Sequence, residues 1–276
     1  MSLPDKPSMG RLSRPAPEDT RLAPIWHPAP EEIRLESGQL HLWAAALNEF
    51  VDGAAKLGDL LSSAEQSRAQ KFKFAEDRAR YVIRRGLLRL ILSRYLAQLP
   101  SAIEFQQGPH GKPELRSEIA GTPMFFNTSH SAQVAVFAIT SSCPVGVDVE
   151  RILEIPEIEA IARRFFPTRE TQVLMTLPPD SRLKAFYACW TRKEAFLKAT
   201  GKGITESLAT VEVTLAPEDQ PEVLSVAGDP RAREEWQLQP FSPATGYVGC
   251  AAYRNALLKL HQWGVAKSTF KLSKLF

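Results

Sequence analysis

Cysteine, net charge and long apolar runs are all scarce in this sequence, and each scarcity removes a class of protein. The three cysteines, Cys143, Cys189 and Cys250, are odd in number, far apart and without a CxxC pair, which excludes a disulfide framework and a zinc knuckle. Reduced, buried thiols of a cytoplasmic protein are expected instead. With 34 basic against 31 acidic side chains, the net charge is only +3 and the pI is near 8.7, far from the excess of a histone-like or arginine-rich protein. Any basic surface must be local. The longest stretch without a formal charge, residues 119–147, exceeds the roughly 20 residues that a membrane-spanning helix needs. Asn127, Thr128, Ser129, His130, Ser131 and Gln133, with Pro123 and Pro144, interrupt it, so no membrane span is expected. The N-terminus carries Arg11, Arg14 and Arg21 with no apolar stretch behind them, which is not the pattern of a signal peptide. Neither a Walker loop nor a GxGxxG run occurs, which withdraws support from the nucleotide sites built on those loops.

What remains is a chain of 276 residues with 44% apolar and 24% charged side chains, long enough for one large domain or two small ones. Seven of the 21 prolines precede Glu31, so residues 1–34 read as a proline-rich extension strapped over a neighbouring surface. Leu40, Leu42 and Trp43 predict a first strand. Residues 62–97 predict a helix: Ser62 or Ser63 can cap it, Glu65 lies in its first turn, and Ala79, Ile83, Leu87 and Leu90 recur at spacings of four, four and three. A glycine- and proline-marked loop follows at 108–113, then strands near 133–139 and 145–150 with a turn at 141–144. The order then begins again, with helical residues 157–165, a second start at Thr168 and a long helix over about 181–199. Val211, Val213 and Leu215 alternate, Trp236 and Leu238 alternate, and residues 247–253 predict a final apolar strand. The economical reading is an α/β (α+β) fold of two similar helix-and-sheet halves, residues 35–143 and 144–255, followed by a C-terminal tail, residues 256–276. No residue-level repeat marks a duplication.

The candidate chemistry begins in Val145-Gly-Val-Asp-Val-Glu150. In a strand the three valines share one face, and Gly146, Asp148 and Glu150 share the other, with the carboxylates about 7 Å apart. A half-exposed strand with solvated acids explains that alternation equally well. The long helix adds a third acid. Leu183, Tyr187, Trp190, Glu194 and Leu197 follow spacings of four, three, four and three, so Glu194 stands where a buried stripe expects an apolar residue. Such an acid must face a cleft, pair with a cation or bind metal, because burying it alone costs several kcal/mol. Lys198, four residues on, is its plain partner, in a helix contact worth about 0.2 to 0.5 kcal/mol. Lys193 and Lys202 instead suggest an end that faces phosphate. Together Asp148, Glu150 and Glu194 offer hard oxygen ligands suited to Mg²⁺ or Mn²⁺, a combination that implies phosphoryl chemistry. Arg80, Lys112 and His130 could hold further phosphates. Taken singly, each is more often a solvated helix charge, a loop lysine and a satisfied, partly buried histidine.

In chain order, Gly111-Lys-Pro113, Phe126-Asn-Thr-Ser-His-Ser131, Gly146-Val-Asp-Val-Glu150 and Trp190-Thr-Arg-Lys-Glu-Ala-Phe-Leu-Lys198 resemble the motifs of the 4'-phosphopantetheinyl transferases of the surfactin-synthetase-activating (Sfp) type. The resemblance covers roughly residues 62–203, and the tryptophan-led last motif is similar to the subgroup that serves broad sets of carrier proteins. It implies a monomeric pseudo-dimer with coenzyme A in the cleft between the halves. It also implies transfer of the phosphopantetheine arm to a serine of an apo acyl, peptidyl or aryl carrier protein, releasing adenosine 3',5'-bisphosphate. Carried over by position, Asp148, Glu150 and Glu194 would bind the magnesium that bridges the pyrophosphate, and Lys198 would contact the same phosphates. Arg80, Lys112, Ser129 and His130 would hold the 3'-phosphate end, and Lys193 joins the candidate coenzyme-binding cations. Glu194 is the candidate base for the serine, directly or through a metal-bound water, with Lys198 as the second catalytic group. Thr128 stands where an aliphatic residue is common. The N-terminal extension is not explained by the family.

Two other readings compete. Nine basic residues between Arg68 and Arg94 could form a nucleic-acid surface, but no groove-reading motif or aromatic platform accompanies them. A magnesium phosphodiesterase would use the same acids and lysine and would hydrolyse its substrate without a protein acceptor. The resemblance favours carrier proteins and coenzyme A as partners, with neither nucleic acid nor membrane.

Overall fold

The computed structural model describes residues 20–108, 111–116, 123–201, 208–216 and 219–270. Strands β1 (His27–Pro28) and β2 (Gln39–Ala46) precede helices α1 (Ala54–Gly58), α2 (Ser63–Gln70) and α3 (Ala75–Leu96). The single helix expected over 62–97 is therefore two. Ser62 closes a capping box with Glu65 at the start of α2, and extended Phe74 restarts the chain as α3. The break folds α2 back, so that Glu65 accepts from Arg85 Nε at 2.7 Å and Arg89 Nε at 2.8 Å. Gly86 is required where α1 crosses α3, because a Cβ there would stand 2.8 Å from that of Leu57.

The hairpin β3 (Phe105–Gln107) and β4 (Pro113–Leu115) leads to β5 (Phe125–Ser131), β6 (Val134–Thr140) and β7 (Val145–Arg151). Helices α4 (Ile158–Phe165), α5 (Thr168–Thr176) and α6 (Pro179–Thr200) follow, then the hairpin β8 (Val211–Val213) and β9 (Val223–Val226). Helix α7 (Ala232–Glu235) and strands β10 (Trp236–Phe241), β11 (Tyr247–Arg254) and β12 (Lys259–Gly264) complete the described chain. No described helix is long and apolar enough to cross a membrane.

The two halves repeat one topology. In the first, β2 is followed by α3, a small hairpin, β5 and β6, and the sheet runs β2-β6-β5, all antiparallel. In the second, β7 is followed by α6, a small hairpin, β10 and β11, and the sheet runs β7-β11-β10, again antiparallel. Both long helices have 22 residues. The sheets face each other across a core in which Leu40, Leu42, Val134 and Val136 meet Val145, Val147, Val149 and Ala251. The opposite faces carry the helices: Trp43 and Phe137 pack with Leu87 and Ile91 of α3, and Cys250 and Ala252 pack with Phe186 and Trp190 of α6. Cys189 and Cys250 are buried and Cys143 half-buried, all three as free thiols.

The residues expected as a C-terminal tail are corrected by β12, which returns to the first sheet and pairs in parallel with β2. Its pattern is too polar to read as a strand, because Lys259, His261 and Gln262 flank and separate its two apolar contacts, Leu260 on the core between the sheets and Trp263 on the core under α3. The N-terminal strap spans both halves. β1 adds to β12, while Ala23 N–H donates to Pro243 O at 2.8 Å and buried Trp26 donates from Nε1 to Ser242 O at 2.9 Å.

His41 on β2 is 1% exposed and stands opposite His261 of β12. Its Nδ1 lies 2.9 Å from the Tyr95 hydroxyl and its Nε2 lies 2.8 Å from Gln39 Oε1. Burial, with His261 beside it, pulls its pKa from 6.5 down to about 3. Between those values the unfolded chain binds a proton that the folded chain refuses, so stability falls as pH falls. This one group should remove about 2 kcal/mol between pH 7 and pH 5. His41→Gln should lose that part of the pH dependence in urea unfolding at the two pH values, and an unchanged slope would refute the assignment.

Candidate active site at the seam between the sheets

β5 ends the first sheet and β7 ends the second, so two strand edges meet, and side chains join them in place of a ladder. Alternation along β5 directs Asn127, Ser129 and Ser131 to β7. Asn127 Oδ1 accepts the Val147 N–H at 2.9 Å, and Ser131 Oγ accepts the Arg151 N–H at 3.0 Å. Lys198 Nζ donates to Val147 O at 3.1 Å, and Lys112 Nζ donates to Val145 O at 3.0 Å and to Lys198 O at 2.8 Å. Helix α6 lies directly on β7 at Gly146, where a Cβ would stand 2.0 Å from Ala195 O. Only glycine admits that approach.

The valines of β7 fill the core between the sheets, so Asp148 and Glu150 turn toward α6, as the alternation predicts. Both are buried, at 0% and 8% exposure, and so is Glu194 on α6 at 3%. Asp148 Oδ1 accepts from Ser129 Oγ at 2.8 Å and from Lys198 Nζ at 2.6 Å, and Lys198 Nζ also donates to Ser129 Oγ at 3.1 Å. Glu150 Oε2 accepts from Ser131 Oγ at 2.7 Å. Among the described residues no three His, Cys, Asp and Glu side chains are gathered to hold a metal as they stand. The donors nevertheless fit a hard divalent ion in kind, being buried carboxylate oxygens with a cation already drawn to one of them.

The remaining sequence candidates divide. Ser129 and His130 project from opposite faces of β5. Ser129 joins Asp148 and Lys198, whereas exposed His130 lies with its Nδ1 2.6 Å from Arg84 Nη1 of α3. Arg80, one turn earlier, is half-buried and paired with Glu76 at 3.4 Å and Asp77 at 3.5 Å. Burial, reinforced by the neighbouring Arg85, lowers the Arg84 guanidinium to about 10, which leaves it charged at neutral pH. The Lys112 ammonium ties the β3–β4 hairpin to β7 and to the end of α6, and burial lowers it to about 8. Lys202 lies outside the described residues.

Two expectations are corrected. Lys193 does not face a phosphate site. It is fully buried, 2.7 Å from Glu170 of α5, and donates to Leu208 O at 3.0 Å and to Val211 O. Glu194 is not the exception in an apolar stripe, because α6 is buried on nearly every side between Ala185 and Ala199. Sheet strands cover one flank of the helix, and Phe165 and Phe166 pack on its Trp190 on another.

Asn127, Ser131 and Arg84 carry site geometry that the residue patterns left unassigned. The signal for the first two was their period-two spacing with Ser129, and for Arg84 its place one turn beyond Arg80. The arginines of α3 do not form a free basic face. Arg85 and Arg89 serve Glu65, Arg84 serves His130, and Arg94 donates to Glu31 O at 2.9 Å.

Lys193→Met should lower the unfolding free energy by about 3 to 5 kcal/mol, since it leaves the Glu170 carboxylate buried without its ammonium. Glu170→Leu/Lys193→Met should recover much of the loss. Chemical denaturation of the three proteins measures this, and a Lys193→Met chain as stable as wild type would return the lysine to the list of ligand-binding groups.

Known proteins are similar to this chain in sequence over both halves. A sequence model of the 4'-phosphopantetheinyl transferase superfamily matches residues 144–252, and one of the N-terminal part of a 4'-phosphopantetheinyl transferase matches residues 42–142. The 4'-phosphopantetheinyl transferase HetI of Nostoc sp. is 36% identical over 227 residues, 82% of this chain and 92% of that one. The 4'-phosphopantetheinyl transferase psf-1 of Bacillus pumilus is 35% identical over 60% of this chain and 68% of its own. Sfp of Bacillus subtilis is 32% identical over 58% of this chain and 69% of its own. With both halves matched and HetI aligned over nearly its whole length, the chain belongs to the 4'-phosphopantetheinyl transferase family.

Proposed function

We propose that the seam between β5, β7 and α6 is where this enzyme moves 4'-phosphopantetheine from coenzyme A to a serine of an apo carrier protein. The observation that carries this reading is the ammonium of Lys198, held by Asp148 and Ser129, with Glu150 buried two residues along β7 and Glu194 buried one turn before the lysine on α6. A serine hydroxyl attacks poorly at neutral pH unless a base takes its proton. Glu194 takes that proton, directly or through a water that relieves its second role as a ligand, as the serine oxygen bonds to the β-phosphorus. The bond to the bridging oxygen then breaks, and adenosine 3',5'-bisphosphate leaves. Lys198 neutralises charge on the phosphates, and a cation already held in place is effective because it needs little reorganisation during the reaction. Asp148, Glu150 and Glu194 would hold Mg²⁺ or Mn²⁺, which supplies further charge neutralisation when bound. Arg80, Lys112 and His130 bind the 3'-phosphate end, with Arg84 orienting the His130 ring. Two halves within one polypeptide complete the cleft, so the enzyme acts as a monomer, with neither nucleic acid nor membrane as partner.

Mixing the protein with coenzyme A, Mg²⁺ and an apo carrier, then weighing the carrier, tests the transfer. A phosphodiesterase would consume coenzyme A and leave the carrier mass unchanged. Asp148→Ala and Glu150→Ala should lose transfer and retain a cooperative melt. Glu194→Gln should keep coenzyme A affinity while turnover falls by about 10² to 10⁴. A stable Gln variant with near-normal turnover would remove Glu194 as the base.

A further inference from the structure

The mechanism above uses Glu150 but leaves the neighbouring hydroxyl of Ser131 without a task. Ser131 Oγ lies between two groups of β7, accepting the Arg151 N–H at 3.0 Å and donating to Glu150 Oε2 at 2.7 Å. A serine has one proton to give, and the Arg151 N–H fills an acceptor position, which leaves that proton for the carboxylate. The backbone of β7 thus orients a hydroxyl of β5, and the hydroxyl orients a carboxylate of β7. Ser129 stands two residues earlier on the same face and likewise donates to a β7 carboxylate, Asp148, while accepting from Lys198 Nζ instead of a backbone N–H.

We infer that Ser131 is a positioning residue that fixes Glu150 for divalent-cation binding across the seam. The inference rests on the proposed reading of Glu150 as a ligand. Removing a hydrogen-bond partner of a metal-binding carboxylate typically weakens metal affinity 10- to 100-fold. A role confined to packing would change thermal stability and leave that affinity intact.

The experiment is a Mn²⁺ titration of the whole protein with saturating coenzyme A, reading free Mn²⁺ by electron paramagnetic resonance, with melting temperatures measured on the same samples. Ser131→Ala should bind Mn²⁺ 10- to 100-fold more weakly. Ser131→Thr, which keeps the hydroxyl, should stay within a few-fold of wild type. Glu150→Gln should also weaken binding, and Ser131→Ala/Glu150→Gln should be no weaker than Glu150→Gln alone. Should Ser131→Ala fail to fold, Ser131→Cys replaces it, with a poorer donor of similar size and the same expected direction. Wild-type affinity in Ser131→Ala beside a weakened Glu150→Gln would overturn the positioning role and leave the ligand reading standing. Wild-type affinity in Glu150→Gln would overturn both. Losses that multiply in the double variant would show that Ser131 does not act through Glu150.

Discussion

The structure depends on how two facing strand edges are satisfied. An edge strand carries a row of backbone donors and acceptors that would otherwise pair with another chain. Here Val145 O, Val147 N–H, Val147 O and Arg151 N–H on β7 go to Lys112, Asn127, Lys198 and Ser131 respectively. Every one of those side chains lies in a stretch that resembles a motif of the family. The same groups therefore hold the halves together and place polar atoms against buried carboxylates. A backbone ladder would have satisfied the edge equally well and left no room for charge. Gly146 makes the arrangement possible, since only a residue without a Cβ lets α6 bring Lys198 down onto β7.

Two lysines of α6 show how position separates stability from chemistry. Lys193 and Lys198 each pair with a carboxylate at short range, at 2.7 and 2.6 Å. Lys193 is sealed among Glu170 and the carbonyls of Leu208 and Val211. Burial pushes the Glu170 carboxyl up and Lys193 pulls it back, so the pair locks α5 and the β8–β9 hairpin to the helix. The Lys198 side chain keeps 24% of its surface exposed. Only a cation that retains such access can exchange a contact with its acid for one with an incoming phosphate.

Much of this was legible in the sequence, for identifiable reasons. Strands β2, β6 and β7 and helices α3 and α6 follow from local periodicity, and the two acids of β7 follow from alternation alone. The break between α2 and α3 was not legible, because it serves a distant partner: Glu65 must reach Arg85 and Arg89. β12 was not legible because polar residues dominate it, with only Leu260 and Trp263 supplying large apolar contacts. The periodic argument for Glu194 does not hold, since a helix buried on nearly all sides has no distinct stripe. Lys193 and Lys198 differ by five positions and cannot be sorted by spacing. What sorts them is which neighbour, Glu170 or Asp148, the fold brings near.

The repeated topology makes the location of the seam a consequence of asymmetry. β2 and β7 are equivalent, each the first strand of its half and each paired on one side with the last. On its other side β2 is closed by β12 through a parallel ladder, with β1 laid over that strand in turn. Among the described residues no strand pairs with the equivalent edge of β7. Both ends of the described chain are thus spent on closing one copy of this edge, while the other copy is closed by polar side chains. A closed ladder admits no ligand. An edge satisfied by a hydroxyl, an amide and two ammonium groups can exchange some of those contacts for other polar groups without breaking a sheet, and the proposed phosphate chemistry accordingly falls at the second of the two equivalent edges.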